Sequence, residues 1–188
     1  MSKSNFYLIP LSILIAAAII ATGVFYKQNK QKTEEDLLRQ EQAGELVAPL
    51  VAFSAPLFVL KNIDGVEVSL KELRGQAVLL VFTASTCDFF QQELRDLERF
   101  ADFYRGQIPV FAIYSQESFL ALRNYKKENN VNFSILVDQD GSVFQDYKIS
   151  ISGTPAHFLI DKSGKISAVW PGAASLSALE GLVTSLKD

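Results

Sequence analysis

The sequence predicts an α/β domain, a central mixed sheet flanked by helices with an N-terminal β-hairpin, preceded by one transmembrane helix. Three observations carry this expectation. Residues 6–26 form a charge-free apolar stretch. From residue 53 onward, short apolar runs of strand length alternate with stretches of helical periodicity. The last two strand-like runs are joined by the turn Asp161-Lys162-Ser163-Gly164. The 188 residues give room for one ordinary domain and a short appendage, and 48% hydrophobic residues suffice for a packed core.

The membrane segment comes first. Phe6 to Tyr26 reads FYLIPLSILIAAAIIATGVFY, 21 residues without a formal charge. As a helix it spans about 30 Å, the thickness of a bilayer's hydrocarbon core. Phe6, Tyr7, Phe25 and Tyr26 put aromatic rings at both interfaces. The stretch exceeds the roughly 7–15 apolar residues of a signal peptide, and ATGVFY offers no A-x-A cleavage pattern. Residues 1–5 are then a short tail, and 27–52 a polar stalk. Within the stalk, Thr33 followed by Glu34, Glu35 and Asp36 resembles a helix start, and Gly44 a stop.

The domain is assigned to residues 53–188. Leu57 to Leu60 reads as a strand, and Asn62-Ile63-Asp64-Gly65 as the turn into a second at Val66–Val68. Ser69 with Glu72 forms a capping box for a short helix that Gly75 ends. Ala77 to Phe82 is the continuous apolar run expected of a strand buried on both faces. After Cys87 a helix runs to about Arg105, with Phe90, Leu94, Leu97, Ala101 and Tyr104 on one face. Ile108 to Tyr114 is the next buried strand, and Ser118 to Asn129 the next helix, with Phe119, Leu122 and Tyr125 on one side.

Phe133 to Val137 is a short strand, and Asp140-Gly141 turns into a brief helix through Tyr147. Pro155 to Ile160 and Lys165 to Trp170 form the closing hairpin, and Ser175 to Leu186 the last helix. Strands separated by helices imply right-handed crossovers and a parallel core, to which the last hairpin adds an antiparallel edge. Helices must cover both faces. Trp170 and the many Phe residues are read as core.

Composition excludes several classes of function. A formal charge of -3 gives no basic face for nucleic acid. With a single cysteine, Cys87, there is no intrachain disulfide and no Cys-based metal cluster. With a single histidine, His157, there is no multi-histidine zinc site. No metal and no cofactor are expected.

The order of elements and the residues that punctuate it resemble the thioredoxin-like superfamily, specifically the membrane-anchored TlpA/ResA-type thiol-disulfide oxidoreductases of the AhpC/TSA-redoxin group. The resemblance runs from about Phe53 to the C-terminus. APLFVLKNIDGVEVSLKELRGQAVLLVF is similar to that family's opening hairpin and first central strand. SGTPAHFLIDKSGKI is similar to its T-P-x-x-F-L-I-D-x-x-G-x-I segment. The resemblance implies a cis-proline at Pro155 beside the active-site cysteine, with Thr154 and Pro155 as the backbone that receives an extended substrate. It also implies a domain outside the cytoplasm. Lys27, Lys30 and Lys32 follow the span while only Lys3 and the α-amino group precede it, which argues the opposite. The lysine counts differ by little, and the extracytoplasmic side is the expectation.

The active-site stretch departs from the family pattern F-W-A-x-W-C-x-x-C-x-x-E-L. Phe82, Ala84, Cys87, Glu93 and Leu94 match. Both Trp positions hold Thr, at Thr83 and Thr86, and the resolving cysteine is replaced by Phe90. A cysteine at a helix N-terminus gains thiolate character from unpaired N–H groups, which favours attack on a disulfide. Adjacent Asp88 and the apolar Phe89 and Phe90 work against it. With no second thiol, release of a bound partner needs an external thiol.

The expected function is therefore monothiol exchange with protein disulfides, with Cys87 as nucleophile. Two other readings stay open: a catalytically silent binding module that keeps the docking groove, and a single-cysteine peroxidase. The last would want P-x-x-x-T-x-x-C, but Leu80 and Ala84 stand at the Pro and Thr positions and no Arg follows Arg123. His157, two residues past Pro155, could share a pocket with Cys87, although one histidine in a strand is more often structural. Glu93 could influence proton transfer, although a solvated helix face is its commoner setting.

Overall fold

In the computed structural model, residues 53–186 are described. The expected tail, membrane span at 6–26 and stalk at 27–52 lie outside the described residues. No helix among the described residues is long and apolar enough to cross a membrane.

A seven-stranded mixed sheet organises the chain. The strands are β1 Val59–Asn62, β2 Glu67–Ser69, β3 Val78–Thr83, β4 Val110–Ser115, β5 Ser134–Asp138, β6 Ala156–Ile160 and β7 Ile166–Pro171. They lie in the order β2-β1-β5-β4-β3-β6-β7. The neighbours β3, β4 and β5 are parallel, while β6 runs antiparallel to β3, β7 to β6, and β1 to both β2 and β5. The parallel centre and antiparallel margins follow the connections: helices join β3 to β4 and β4 to β5, and tight turns make the two hairpins.

The helices are α1 Asp88–Phe103, α2 Phe119–Glu128, α3 Ser142–Asp146 and α4 Leu176–Val183, with a 3-10 turn at Ile151–Gly153 before β6. Every residue of β3 and β4 is buried, as apolar runs without alternation require. Successive side chains supply two separate cores. Leu79, Val81, Ala112, Tyr114, Ile135 and Leu159 pack with Phe90, Leu94, Leu97 and Phe100 of α1, Leu122 of α2 and Leu179 of α4. On the other face, Leu80, Phe82, Ile113, Leu136 and Phe158 meet Phe144 and Tyr147 at α3, together with Phe58 and Leu70. Phe82 is ringed there by Phe144, Tyr147 and Phe158 at centroid distances of 5.2, 4.7 and 5.4 Å.

Two helix starts follow their capping chemistry. Ser118 Oγ accepts from Ala121 N at 3.2 Å, and Ser175 Oγ from Ala178 N at 3.3 Å. Gly141 leads into α3 with φ +76°, a left-handed conformation that a side chain would resist.

The structure corrects three expectations. The short helix at Ser69–Gly75 does not form. Ser69 instead pairs with Val59 as the end of β2, and Leu70–Gln76 is a series of turns with bonds such as Glu72 N to Ser69 O. The segment is too short to repay helix nucleation, and Gly75 N is drawn to Lys162 O at 2.9 Å. The buried face of α1 includes Phe100, which the periodic reading omitted, while Ala101 and Tyr104 only flank it. Several aromatics read as core are exposed: Phe53, Phe89, Phe103 and Trp170.

Candidate active site around Cys87

Cys87 is the N-cap of α1, at the carboxyl end of central strand β3. Its backbone is extended, φ -84° and ψ 103°, and its N–H closes a turn on Ala84 O at 3.0 Å. The following residues therefore start the helix, and Gln91 N makes the first helical bond to Cys87 O at 3.2 Å. The N–H groups of Asp88, Phe89 and Phe90 precede that bond. Such groups have no partner within a helix. The loop leading to Cys87 is tied down from α2's side, where Ser85 N donates to Glu117 Oε1 at 2.8 Å.

The cysteine faces the β6 approach. Cys87 Sγ donates to Thr154 O at 3.5 Å. The Thr154–Pro155 peptide bond is cis. Thr154 is fixed by two bonds to Ile151 O, one from its N at 3.2 Å and one from its Oγ1 at 2.7 Å. A cleft of about 270 Å³ opens between these elements, lined by Ala84, Thr86, Cys87, Asp88, Phe89, Ile151 and Thr154. Thus Cys87, Thr86, Asp88 and Thr154 come together as the sequence places them. Pro155 is buried directly behind Thr154.

Phe90 does not line the cleft. It is fully buried, packing edge-on against Tyr114 at 6.1 Å. The side chain at the resolving position is thus a core residue. Its neighbour Phe89 points the other way, 61% exposed at the cleft's rim. Beneath Phe90, burial pushes the Tyr114 phenol far above its ordinary range, with nearby Tyr125 adding to the effect. The Tyr114 hydroxyl has no hydrogen-bond partner among the described residues.

Glu93 is not on the solvated face expected of a helical carboxylate: it is 3% exposed. Its Oε1 lies 3.1 Å from His157 Nε2, and its Oε2 accepts from Ala174 N at 2.6 Å. His157 takes the structural place rather than a shared pocket. It is fully buried, with Nδ1 3.3 Å from Trp170 O, and joins α1 to β6 and β7. It is absent from the cleft around Cys87. The reason is register: β6 alternates, so His157 shares Leu159's face under α1. Among the described residues, no three His, Cys, Asp or Glu side chains gather as a metal ion would require.

Sequence reasoning missed Glu117 and Ile151. Ile151 is an apolar residue left 51% exposed on a short turn, and only the tertiary fold brings it to the cleft.

Cysteine at the helix start, the Thr-Pro segment beside it and the mixed sheet with its β-hairpin decide the family, and the comparisons agree. Residues 51–169 match the AhpC/TSA family. The chain belongs to the AhpC/TSA family. It is a thioredoxin-like protein of the TlpA/ResA type. It is 29% identical over 134 residues to the thiol-disulfide oxidoreductase ResA of Bacillus subtilis strain 168, covering 71% of this chain and 74% of that protein. The ResA of Geobacillus kaustophilus is 27% identical over 144 residues, with 76% and 82% covered. Among solved structures, the exposed lipoprotein thioredoxin Etrx1 of Streptococcus pneumoniae strain TIGR4 is similar, with TM-score 0.61 and 26% identity. That similarity covers 69% of this chain and 99% of that one.

Proposed function

We propose that this AhpC/TSA-family chain is a membrane-anchored monothiol that exchanges with disulfides of partner proteins, with Cys87 as nucleophile. The observation that carries the reading is the 3.5 Å approach of Cys87 Sγ to Thr154 O, which sets the sulfur in a cleft beside the backbone that leads into Pro155. An extended segment laid along Thr154 would bring its disulfide to the helix start. Cys87, as thiolate, attacks one sulfur of that disulfide. The Cys87–partner bond forms as the partner's S–S bond breaks, and the departing thiolate takes up a proton.

Phe90 cannot resolve the mixed disulfide, so an external thiol does. Its thiolate attacks Cys87 Sγ and releases the partner as a second thiol. A further equivalent then regenerates Cys87 and departs as an external disulfide. Two external thiols are oxidised for each partner disulfide reduced. The Bacillus and Geobacillus relatives named thiol-disulfide oxidoreductases support this chemistry. Residues 6–26 support the anchor, and the domain is proposed to lie on the extracytoplasmic side.

The test is incubation of the purified chain with a peptide disulfide and a low-molecular-weight thiol. The expected result is a peptide adduct on Cys87 by mass spectrometry and catalysed peptide reduction, both lost in Cys87→Ser. Wild type and Cys87→Ser behaving alike would leave the silent binding module in its place. Because Cys87 is the only thiol, a membrane-impermeant maleimide added to intact cells tests the topology. Labelling only after lysis would overturn the extracytoplasmic placement.

A further inference from the structure

Near the end of β4, Tyr114 carries a polar group that the fold leaves unspent. The residue is fully buried, and its hydroxyl has no hydrogen-bond partner among the described residues. A buried phenol nearly always finds one, so the exception calls for a cause. Tyr125 of α2 does not supply it. The Tyr125 hydroxyl accepts from Gln91 Nε2 at 2.7 Å, and the two tyrosine rings meet at 5.8 Å without their hydroxyls completing a bond.

The surroundings of Tyr114 are those of Cys87. Strand pairing sets Tyr114 beside Thr83, four residues before the cysteine. Its ring packs edge-on against Phe90, one helical turn after the cysteine. Cys87 itself packs against the core cluster that holds both rings. Burial holds the phenols of Tyr114 and Tyr125 above their ordinary range, and the charges of Glu117 and Cys87 reach each of them.

At rest the Cys87 S–H donates to Thr154 O. Deprotonation ends that bond, because a thiolate has no proton to give and the carbonyl none to offer. The sulfur is then an anion facing a carbonyl oxygen, a repulsive arrangement that rotation about Cα–Cβ to another staggered position relieves. Phe90 offers it no donor. Resting on the reading of Cys87 as nucleophile, we infer that Tyr114 is a further catalytic residue, whose hydroxyl donates to the Cys87 thiolate once the S–H bond to Thr154 is lost. The resting phenol is unpartnered because its acceptor exists only in the reactive state.

One bond serves two steps. It raises the thiolate fraction for attack on the partner disulfide, and it meets the charge that returns when Cys87 departs as leaving group in the last step. Tyr114 keeps its own proton throughout, and the thiol proton leaves to solvent. The ionisable groups around the sulfur are Asp88 on α1, Glu117 before α2 and the two phenols, while Ile151–Thr154 contributes none. Both carboxylates oppose a thiolate, so its formation depends on donors such as the Tyr114 hydroxyl and the N–H groups at the α1 start.

The test is the pH dependence of Cys87 alkylation by iodoacetamide in the full chain, for wild type, Tyr114→Phe and Tyr125→Phe. A hydrogen bond to an anion lowers the pH at which the anion forms. Tyr114→Phe should therefore raise the half-point by about one pH unit, a roughly tenfold loss of thiolate below both half-points, the scale of one charge-assisted hydrogen bond. Tyr125→Phe should move it far less. Because the resting hydroxyl has no partner, Tyr114→Phe should not lower the denaturation midpoint in mild acid, where the thiol is protonated. That readout separates the chemical role from a structural one.

An unchanged half-point in Tyr114→Phe overturns the inference, while wild-type adducts with a peptide disulfide would leave exchange standing. An equal shift in Tyr125→Phe, or a lowered denaturation midpoint in Tyr114→Phe, overturns it as well, since the donor or its partner then lies elsewhere. A wild-type Cys87 inert to both iodoacetamide and the peptide disulfide overturns exchange itself, and the Tyr114 bond with it.

Discussion

The carboxylate of Glu93 and the imidazole of His157 meet 3.1 Å apart in a place solvent does not reach, six residues past the cysteine on one side and two past Pro155 on the other. Each has its second polar atom occupied, by Ala174 N and Trp170 O. The pair is thus a satisfied polar clasp through an apolar core, binding α1, β6 and the approach to α4. Removing one member strands the other. Glu93→Ala and His157→Ala are each expected to lower stability by about 3 kcal/mol, and the double variant by less than the sum. Urea denaturation of the four chains checks this; simple additivity would show that the two side chains do not act together.

Phe90 stands where a second cysteine would resolve the mixed disulfide, and it is fully buried against Tyr114. Phe90→Cys should therefore have two opposed effects. Loss of the ring opens a cavity and costs about 3 kcal/mol of stability. The new thiol, one helical turn from Cys87, should shorten the life of a peptide adduct in the absence of external thiol. Stopped-flow mass analysis measures the second effect, and an adduct that persists unchanged would count against the exchange geometry.

Asp138 closes β5 with Oδ2 accepting from Phe144 N at 3.0 Å, while Oδ1 has no partner among the described residues. Burial pushes its carboxyl above the ordinary range, against the backbone N–H groups of Phe144 and Val143, and Asp140 adds to the rise. A raised native value means that the folded chain holds the proton more tightly than the unfolded one. Its contribution is full below the ordinary carboxylate range and is lost as pH rises through the native value. The stability of wild type relative to Asp138→Asn should thus fall as pH climbs from about 4. Denaturation midpoints of both chains across that range test it, and a flat difference would refute the assignment.

Gly141 and Gly65 both adopt positive φ, +76° and +85°. They differ in surroundings: a Cβ at Gly141 would lie 3.3 Å from Ser115 Oγ, whereas one at Gly65 meets open space. Gly65→Ala should cost about 1 kcal/mol from backbone strain alone, and Gly141→Ala more than that. Thermal unfolding should therefore rank Gly141→Ala below Gly65→Ala, and the reverse order would contradict the packing described.

The sequence by itself determined the elements that local chemistry controls. Short apolar runs without alternation, bounded by turn residues, read as buried strands, and Ser118 and Ser175 marked helix starts with a hydroxyl that caps them. The T-P-A-H-F-L-I-D segment and the position of Cys87 made the family legible, because motif spacing is a local property. The fate of Ser69–Gly75 was not legible, since its capping box competed with a strand partner, Val59, and with Lys162 far along the chain.

Only the tertiary structure decided which way each side chain of the site turned. Glu93 and His157 are 64 positions apart, and a carboxylate on a helix reads as solvated until a buried donor is found opposite it. Phe89 and Phe90 are adjacent and chemically identical, yet the turn of α1 sends one to the cleft and the other into the core. The physical reason is common to both cases. Periodicity fixes the angle between neighbouring side chains, while burial depends on what the rest of the chain brings to meet them.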